Sequence, residues 1–237
     1  MKNLKGSIRQ RRDEAVLKYE AVIFDLDGTL VDSVADIAGA ANMALRAGGF
    51  EARKTDEYRF FIGEGAREMI KKALPPSAGE SDIGKCLEGF MAFYREGFDV
   101  HTKLYDGMPE LLGALCGRGV KIAVLSNKPQ EMTSKIADSL LAGWDFSEIV
   151  GHSEKVPRKP DPSGALELCK RMGVSAAASV FVGDSAIDMK TATASGMLPV
   201  GVLWGFRSRE ELVQSGAAYV MERPGELEEI IGGGGKV

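Results

Sequence analysis

Ala21-Val22-Ile23-Phe24-Asp25-Leu26-Asp27-Gly28-Thr29-Leu30-Val31-Asp32-Ser33 is the stretch on which the reading of this 237-residue chain turns. Residues 21 to 24 form an unbroken apolar run, the mark of a short buried strand. The two-residue period of a strand sends Asp25 and Asp27 to the same side of the backbone, just where Gly28 lets the chain turn away. Two carboxylates that close cost stability unless something cationic sits with them. The strand end therefore calls for a metal ion or a substrate. The helix after it opens with Ser33-x-x-Asp36, which reads as a capped N-terminus.

Composition narrows the field. The formal charge is -4, with no Lys/Arg-dense face beyond the first dozen residues, so there is no electrostatic footprint for nucleic acid. Cys86, Cys116 and Cys169 are odd in number and widely spaced in apolar helical patterns, which points to reduced thiols in a cytoplasmic compartment and to no zinc site. The first nineteen residues carry Lys2, Lys5, Arg9, Arg11 and Arg12 without an apolar h-region, and read as an N-terminal extension, frayed or helical. The terminal Gly-Gly-Gly-Gly-Lys-Val reads as disordered. No segment approaches transmembrane length.

Beyond Asp27 the apolar spacing stays near 3.6 for about seventy residues. Val34, Ile37, Ala41 and Leu45 mark one helix. Ala66, Met69, Ile70, Ala73 and Leu74 mark a second, ended by Pro75-Pro76, and Ile83, Leu87, Phe90 and Tyr94 mark a third starting at Ser81. From Leu104 short apolar runs alternate with helices, the pattern of βα units and a parallel sheet. Candidate strands lie at 120–125, 147–151, 179–183, 198–203 and 217–221. Pro109, Pro129, Pro162 and Pro224 fall at first-turn positions of the intervening helices, and Ser208-x-x-Glu211 reads as a capping box. With strand 21–25 this predicts an α/β fold: a six-strand, doubly wound, Rossmann-like core (20–34 and 102–237) with an all-helical cap inserted at 35–101.

In such sheets ligands bind at the carboxyl ends of strands, and three more strand ends carry polar clusters. Lys-Ile-Ala-Val-Leu runs into Ser126-Asn127-Lys128-Pro129, where a hydroxyl and backbone amides at a helix start suit phosphate oxygens. In Val156-Pro157-Arg158-Lys159-Pro160-Asp161-Pro162 the flanking prolines fix the approach of Lys159, while Arg158 reads as surface. Val-Phe-Val ends in Gly183-Asp184-Ser185-Ala186-Ile187-Asp188, whose i, i+4 acids face one way as the next helix begins and favour a hard cation such as Mg²⁺. His101 and His152 read as structural.

Asp25-x-Asp27-Gly28-Thr29 after a strand resembles the first motif of the haloacid dehalogenase superfamily, chiefly its phosphatases. Ser126, Lys159 and the Asp184/Asp188 pair resemble its second, third and fourth motifs, in order, over residues 20 to about 225. The resemblance implies Asp25 as nucleophile, forming an aspartyl phosphate. It implies Ser126, Asn127 and Lys159 on phosphate, and Mg²⁺ held by Asp25, the Asp27 main-chain carbonyl and Asp184. Asp188 would ligate directly or position a bound water. Against a phosphate dianion, four acids would then face one divalent cation and Lys159, an excess that is relieved if one carboxyl group is protonated. Asp27 is that candidate, as general acid and then base. An acid at 27 also argues against a dehalogenase or a phosphonatase.

The cap position, with Phe61-Ile62-Gly63-Glu64-Gly65-Ala66-Arg67, resembles the phosphoglycolate phosphatase-like subgroup. Gly63 and Gly65 would let backbone approach the substrate and Arg67 would meet a carboxylate or second phosphate. Trp204 and the loop Gly205-Phe206-Arg207-Ser208 resemble a stretch of the same subgroup and receive no chemistry. The expected activity is hydrolysis of a small phosphorylated metabolite by a monomer or homodimer. A β-phosphoglucomutase-like mutase is the alternative, then a pyrophosphatase or nucleotidase of the same group, and last a non-catalytic phosphate-binding module. Cap closure would keep the aspartyl phosphate from water, on hinges near 33–36 and 101–103.

Overall fold

The computed structural model describes residues 17–233. β1 (Ala21–Phe24) lies at the centre of a six-stranded sheet. A two-residue strand, β2 (Val31–Asp32), follows it, and then the helices α1 (Val34–Ala47), α2 (Tyr58–Phe61), α3 (Ala66–Ala73) and α4 (Glu80–Glu96). The chain returns through β3 (Lys103–Leu104), which pairs antiparallel with β2. The remainder alternates: α5 (Met108–Gly117), β4 (Lys121–Pro129), α6 (Gln130–Leu140), β5 (Phe146–His152), α7 (Ser163–Met172), β6 (Ser179–Gly183), α8 (Ala186–Ser195), β7 (Leu198–Val202), α9 (Arg209–Gln214), β8 (Tyr219–Met221) and α10 (Glu226–Ile231). The sheet order is β5-β4-β1-β6-β7-β8 with every pairing parallel. This is the α/β, doubly wound, Rossmann-like arrangement expected from the alternation.

Strand periodicity explains why β1 is apolar throughout: Val22 and Phe24 pack into the cluster on one face of the sheet, and Ala21 and Ile23 into the cluster on the other. All four are fully buried, and burying a side chain of the size of Ile23 or Phe24 stabilises by about 1.5–3 kcal/mol. The inserted helices have a third cluster, built on Ile37, Leu45, Ile70, Phe90 and Tyr94. The 3.6-residue stripes identify its members because each of these helices buries one face.

Several local expectations change. Leu17 and Tyr19, expected in the extension, pack on the core, and the Lys18 amide donates to the Ile231 carbonyl at 2.9 Å. The remaining readings of the extension and the glycine-rich tail fall on residues 1–16 and 234–237, outside the described residues. α4 begins one residue earlier than expected, at Glu80. Pro109 is inside the first turn of α5, but Pro129 and Pro162 are the residues preceding α6 and α7, and Pro224 lies two before α10. The β2–β3 ribbon escaped notice because two residues carry no readable period.

The Ser33-x-x-Asp36 cap does not form. Ser33 makes no side-chain cap and its hydroxyl donates instead to Asp27 Oδ1 at 2.6 Å. Asp36, buried, accepts from the His101 and Thr102 amides and the Thr102 hydroxyl at 2.7–3.1 Å. Both polar side chains found stronger use outside their helix: one supports the strand-end acid, and the other stitches the outgoing and returning chain segments together. The Ser208 cap does form, its hydroxyl accepting from the Glu211 amide.

Candidate active site

β1 is flanked by β4 on one side and β6 on the other, and its in-register partners end at Val124 and Val182. Asp25, one residue further on, keeps its amide bonded to the Val182 carbonyl at 2.9 Å. The residues following three adjacent strands thus converge. Gly28 turns the chain away with φ of +84°, and a Cβ there would stand 2.3 Å from Asp184 Oδ2. Gly183 is needed for a different close approach, since its Cβ would lie 2.2 Å from that of Asp188.

Lys159 is the hub. Its ammonium is 2.7 Å from Asp25 Oδ1 and 2.7 Å from Asp188 Oδ1, and the side chain is buried. Burial alone would lower its pKa, but Asp188 and Asp25 hold it above the ordinary lysine range. The second Asp188 oxygen accepts from the Ser185 amide and hydroxyl at 3.1 and 2.6 Å. Asp188 therefore positions Lys159 and caps α8. Asp184 accepts the Phe206 amide at 2.7 Å. Burial, the like charge of Asp188 and that of Asp25 raise it well above the usual carboxylate range. Asp25 is pushed up to about 7, first by burial, with Lys159 pulling it down and Asp188 up.

Asp25, Asp184 and Asp188 each present an oxygen within 4.8 Å of the others. Three buried carboxylates, two with raised pKa, are an under-compensated set of hard donors, which fits a divalent cation.

Of the second cluster, Ser126 is buried and accepts the Lys128 amide at 3.2 Å. β4 runs on to Pro129 through an irregularity after Leu125, so α6 begins at Gln130 and Ser126 is on strand, not at a helix start. Asn127 is spent structurally. Its amide donates to the Gly63 and Lys159 carbonyls at 2.9 and 3.0 Å, and its oxygen accepts the Lys159 amide at 2.7 Å. One side chain of the core thereby ties the lysine loop to the cap.

Lys128 was missed. It is buried, and its ammonium lies 2.9 and 3.0 Å from the two Asp27 oxygens and 4.7 Å from the centre of the Tyr94 ring. Burial opposes its charge, but Asp27 and then Tyr94 hold its pKa above the ordinary value. The signal was available: in a continuing strand, residues 126 and 128 share a face. Tyr94 had no such signal, being the last member of an apolar helical stripe. Burial pushes its phenol up to about 12. Lys128 stands near, but Tyr94 Oη meets no hydrogen-bond partner of acceptable geometry.

Cap and core enclose a cavity of about 50 Å³ above these groups, roughly the room of three to five waters. Gly63 and Gly65, with φ of +126° and +95°, line it. Arg67 does not: it is half-buried on the cap and paired with Glu80. The arginine at the cavity is Arg207, in the loop to which no chemistry was assigned. Its Nη2 donates to the Ile62 carbonyl at 2.9 Å and Nη1 to that of Arg59, so this loop holds the cap. Trp204 Nε1 anchors the same loop on the Thr29 carbonyl at 2.9 Å. Arg158 is exposed, as expected, though its guanidinium reaches Gly65. His152 Nδ1 meets the Val156 carbonyl at 3.0 Å, a structural contact.

A parallel α/β sheet with acids at its strand ends, a buried lysine among them and a helical cover is the architecture of a class of α/β hydrolase. The chain belongs to the haloacid dehalogenase-like hydrolases, whose family model matches residues 22–202. It is 33% identical over 205 residues to a phosphoglycolate phosphatase of Pseudomonas syringae pv. tomato, covering 85% of this chain and 75% of that protein. It is 32% identical over 210 residues to the phosphoglycolate phosphatase of Aquifex aeolicus, covering 89% and 95%. A crystal structure of a predicted phosphoglycolate phosphatase from Haemophilus somnus superposes with a TM-score of 0.82 at 27% identity, covering 90% and 98%. The protein is a hydrolase of the phosphatase type. Among the described residues no helix is long and apolar enough to cross a membrane.

Proposed function

We propose that the protein is a Mg²⁺-dependent phosphatase that cleaves a small phosphomonoester of the phosphoglycolate kind through an aspartyl phosphate on Asp25. The observation that carries this is the single-sided grip on Asp25: Lys159 and the Leu26 amide both hold Oδ1 at 2.7 Å. Among the described residues no donor reaches Oδ2, which is the oxygen left to attack phosphorus.

The Oδ2–P bond forms as the bond from phosphorus to the ester oxygen breaks. Asp27 gives its proton to the departing alkoxide, and Ser33, donating to Asp27 Oδ1, helps fix that carboxyl group. Asp27 then takes a proton from the water that cleaves the acyl phosphate, restoring Asp25. Lys159 and the Ser126 hydroxyl hold the phosphoryl oxygens, and Asn127 fixes the Lys159 backbone. Asp25, Asp184 and the Asp27 main-chain oxygen would hold Mg²⁺, with Asp188 acting through Lys159. The cation, when bound, neutralises charge on the transferring group. The cap, closed through Gly63, Arg207 and Asn127, excludes bulk water from the acyl phosphate.

The test is a panel of phosphorylated metabolites with Mg²⁺, scored for free phosphate and for isomerised product, on the wild type and Asp25→Asn. Metal-dependent phosphate release, lost by a factor of ~10³ or more in the variant, is expected. Release largely retained by Asp25→Asn would refute covalent catalysis, and isomer without phosphate would make the enzyme a mutase.

A further inference from the structure

The polar groups around the cavity divide into two sets. Asp25, Asp184, Asp188 and Lys159 form one, in which Lys159 is held by two carboxylates. Asp27, Lys128 and Tyr94 form the other, on the side of the acid that serves the leaving oxygen. Among the described residues that line the cavity, the cationic side chains are Lys128 and Arg207. Arg207 spends Nη1 and Nη2 on carbonyls of the cap and its Nε lies 3.4 Å from Glu211. Arg67 is outside the cavity, paired with Glu80.

Lys128 has one ionic partner, Asp27, for an ammonium with three donors. Beside it Tyr94 is 1% exposed and lines the cavity, and among the described residues its hydroxyl has only the neighbouring Lys128 ammonium, outside good hydrogen-bond geometry. A buried hydroxyl is an unpaid desolvation cost unless an acceptor arrives in the cavity. The rest of the wall on this side is Ile37, Met69, Phe90 and Met132, which can partner neither a charge nor a set of hydroxyls.

We propose that Lys128 and Tyr94 form the receptor for a carboxylate carried on the leaving group of the ester. The proposal rests on the phosphatase reading above and names the substrate class of that site. Lys128 touches both oxygens of Asp27, so an anion seated on it lies within a few ångströms of the leaving oxygen. That places the carboxylate on the carbon next to the ester carbon, as in 2-phosphoglycolate. The small cavity and its apolar wall disfavour a sugar, whose hydroxyls would go unpartnered.

The experiment compares 2-phosphoglycolate with ethyl phosphate, which keeps the two-carbon ester and puts a methyl group where the carboxylate was. The readout is the ratio of kcat/KM for the two esters, so an effect of a substitution on Asp27 that is common to both divides out. The wild type should favour 2-phosphoglycolate. Tyr94→Phe, which removes only the hydroxyl, should lower the ratio ~10-fold through KM, and Lys128→Met ~100-fold, with Lys128→Arg recovering part of it. An unchanged ratio in Tyr94→Phe and Lys128→Arg, with phosphate still released from both esters, overturns the receptor and leaves the phosphatase standing. Release from neither ester by the wild type overturns both.

Discussion

Asn127→Ala separates the role the structure gives this residue from the one its motif suggests. A phosphate-binding asparagine would be spare in the empty enzyme, and its loss would weaken substrate binding while leaving the fold alone. Here the side chain makes three hydrogen bonds, at 2.7, 2.9 and 3.0 Å, to backbone groups of Lys159 and Gly63. At about 1 kcal/mol net each, their loss should destabilise the protein by about 3 kcal/mol. For a chain of this size that lowers Tm by about 6–12 °C. The bond to Gly63 is the one that crosses to the cap. Its share shifts the closed–open balance by about fivefold, which should appear in kcat/KM on top of any loss from a loosened Lys159. Thermal unfolding of the metal-free protein and steady-state kinetics would be measured on the same preparation. A Tm within 2 °C of wild type, with KM alone raised, would return Asn127 to the phosphate and refute the tie.

Two other outcomes follow from the acid cluster. Asp25 sits near 7 against an ordinary 3.8, so the folded, metal-free protein binds the extra proton between those values. Stability should therefore fall as pH rises from about 4 to about 7, the reverse of a salt-bridged aspartate. Urea unfolding across that range checks the sign; Mg²⁺ at a hundredfold its Kd should restore about 2.7 kcal/mol at pH 7, and Asp25→Asn should flatten the slope. Gly28→Ala should prevent native packing at Asp184, since its φ is +84° and the new Cβ would stand 2.3 Å from a carboxylate oxygen. Gly49→Ala, with φ of +80° but no neighbour within 4 Å, isolates the backbone strain and should cost about 1 kcal/mol by denaturant titration.

The sequence shows the sheet well and the cap's interior contacts poorly, for physical reasons. The central strands β1, β4 and β6 are apolar runs that end in glycine or a polar cluster, and a parallel strand buried on both faces can look no other way. Asp25 and Asp184 are legible because the residue just past such a strand has one crevice to enter, Asp188 because it is one turn into the helix that follows, and Lys159 because prolines fix its loop. Ser33 and Asp36 were read as a helix cap and Asn127 as a phosphate ligand, from their neighbours in sequence alone, and all three bond to segments 6 to 66 residues away. A local rule has no access to such partners. Arg67 failed similarly, because a helix position facing the substrate and one facing Glu80 differ only in how the helix is rotated.

Lys128 has the largest consequence, because it changes the charge count on which the role of Asp27 was built. With Lys159 as the lone buried cation, the site fell short of positive charge once a phosphate dianion was counted in it. Four buried carboxylates facing two ammoniums leave an excess of two negative charges, which one divalent cation offsets. The resting site with its metal is then balanced, and Asp27 accepts hydrogen bonds from Lys128 and Ser33. Arrival of a phosphate dianion breaks that balance and draws in a proton. The acid beside the leaving oxygen is where it can be used. A carboxylate on the leaving group strengthens the same coupling, since it competes with Asp27 for Lys128 at the moment Asp27 has to let go of the ammonium and turn to the ester oxygen. On this argument a substrate without that carboxylate suffers twice, in binding and in the loading of the acid, so its deficit should extend to kcat as well as KM.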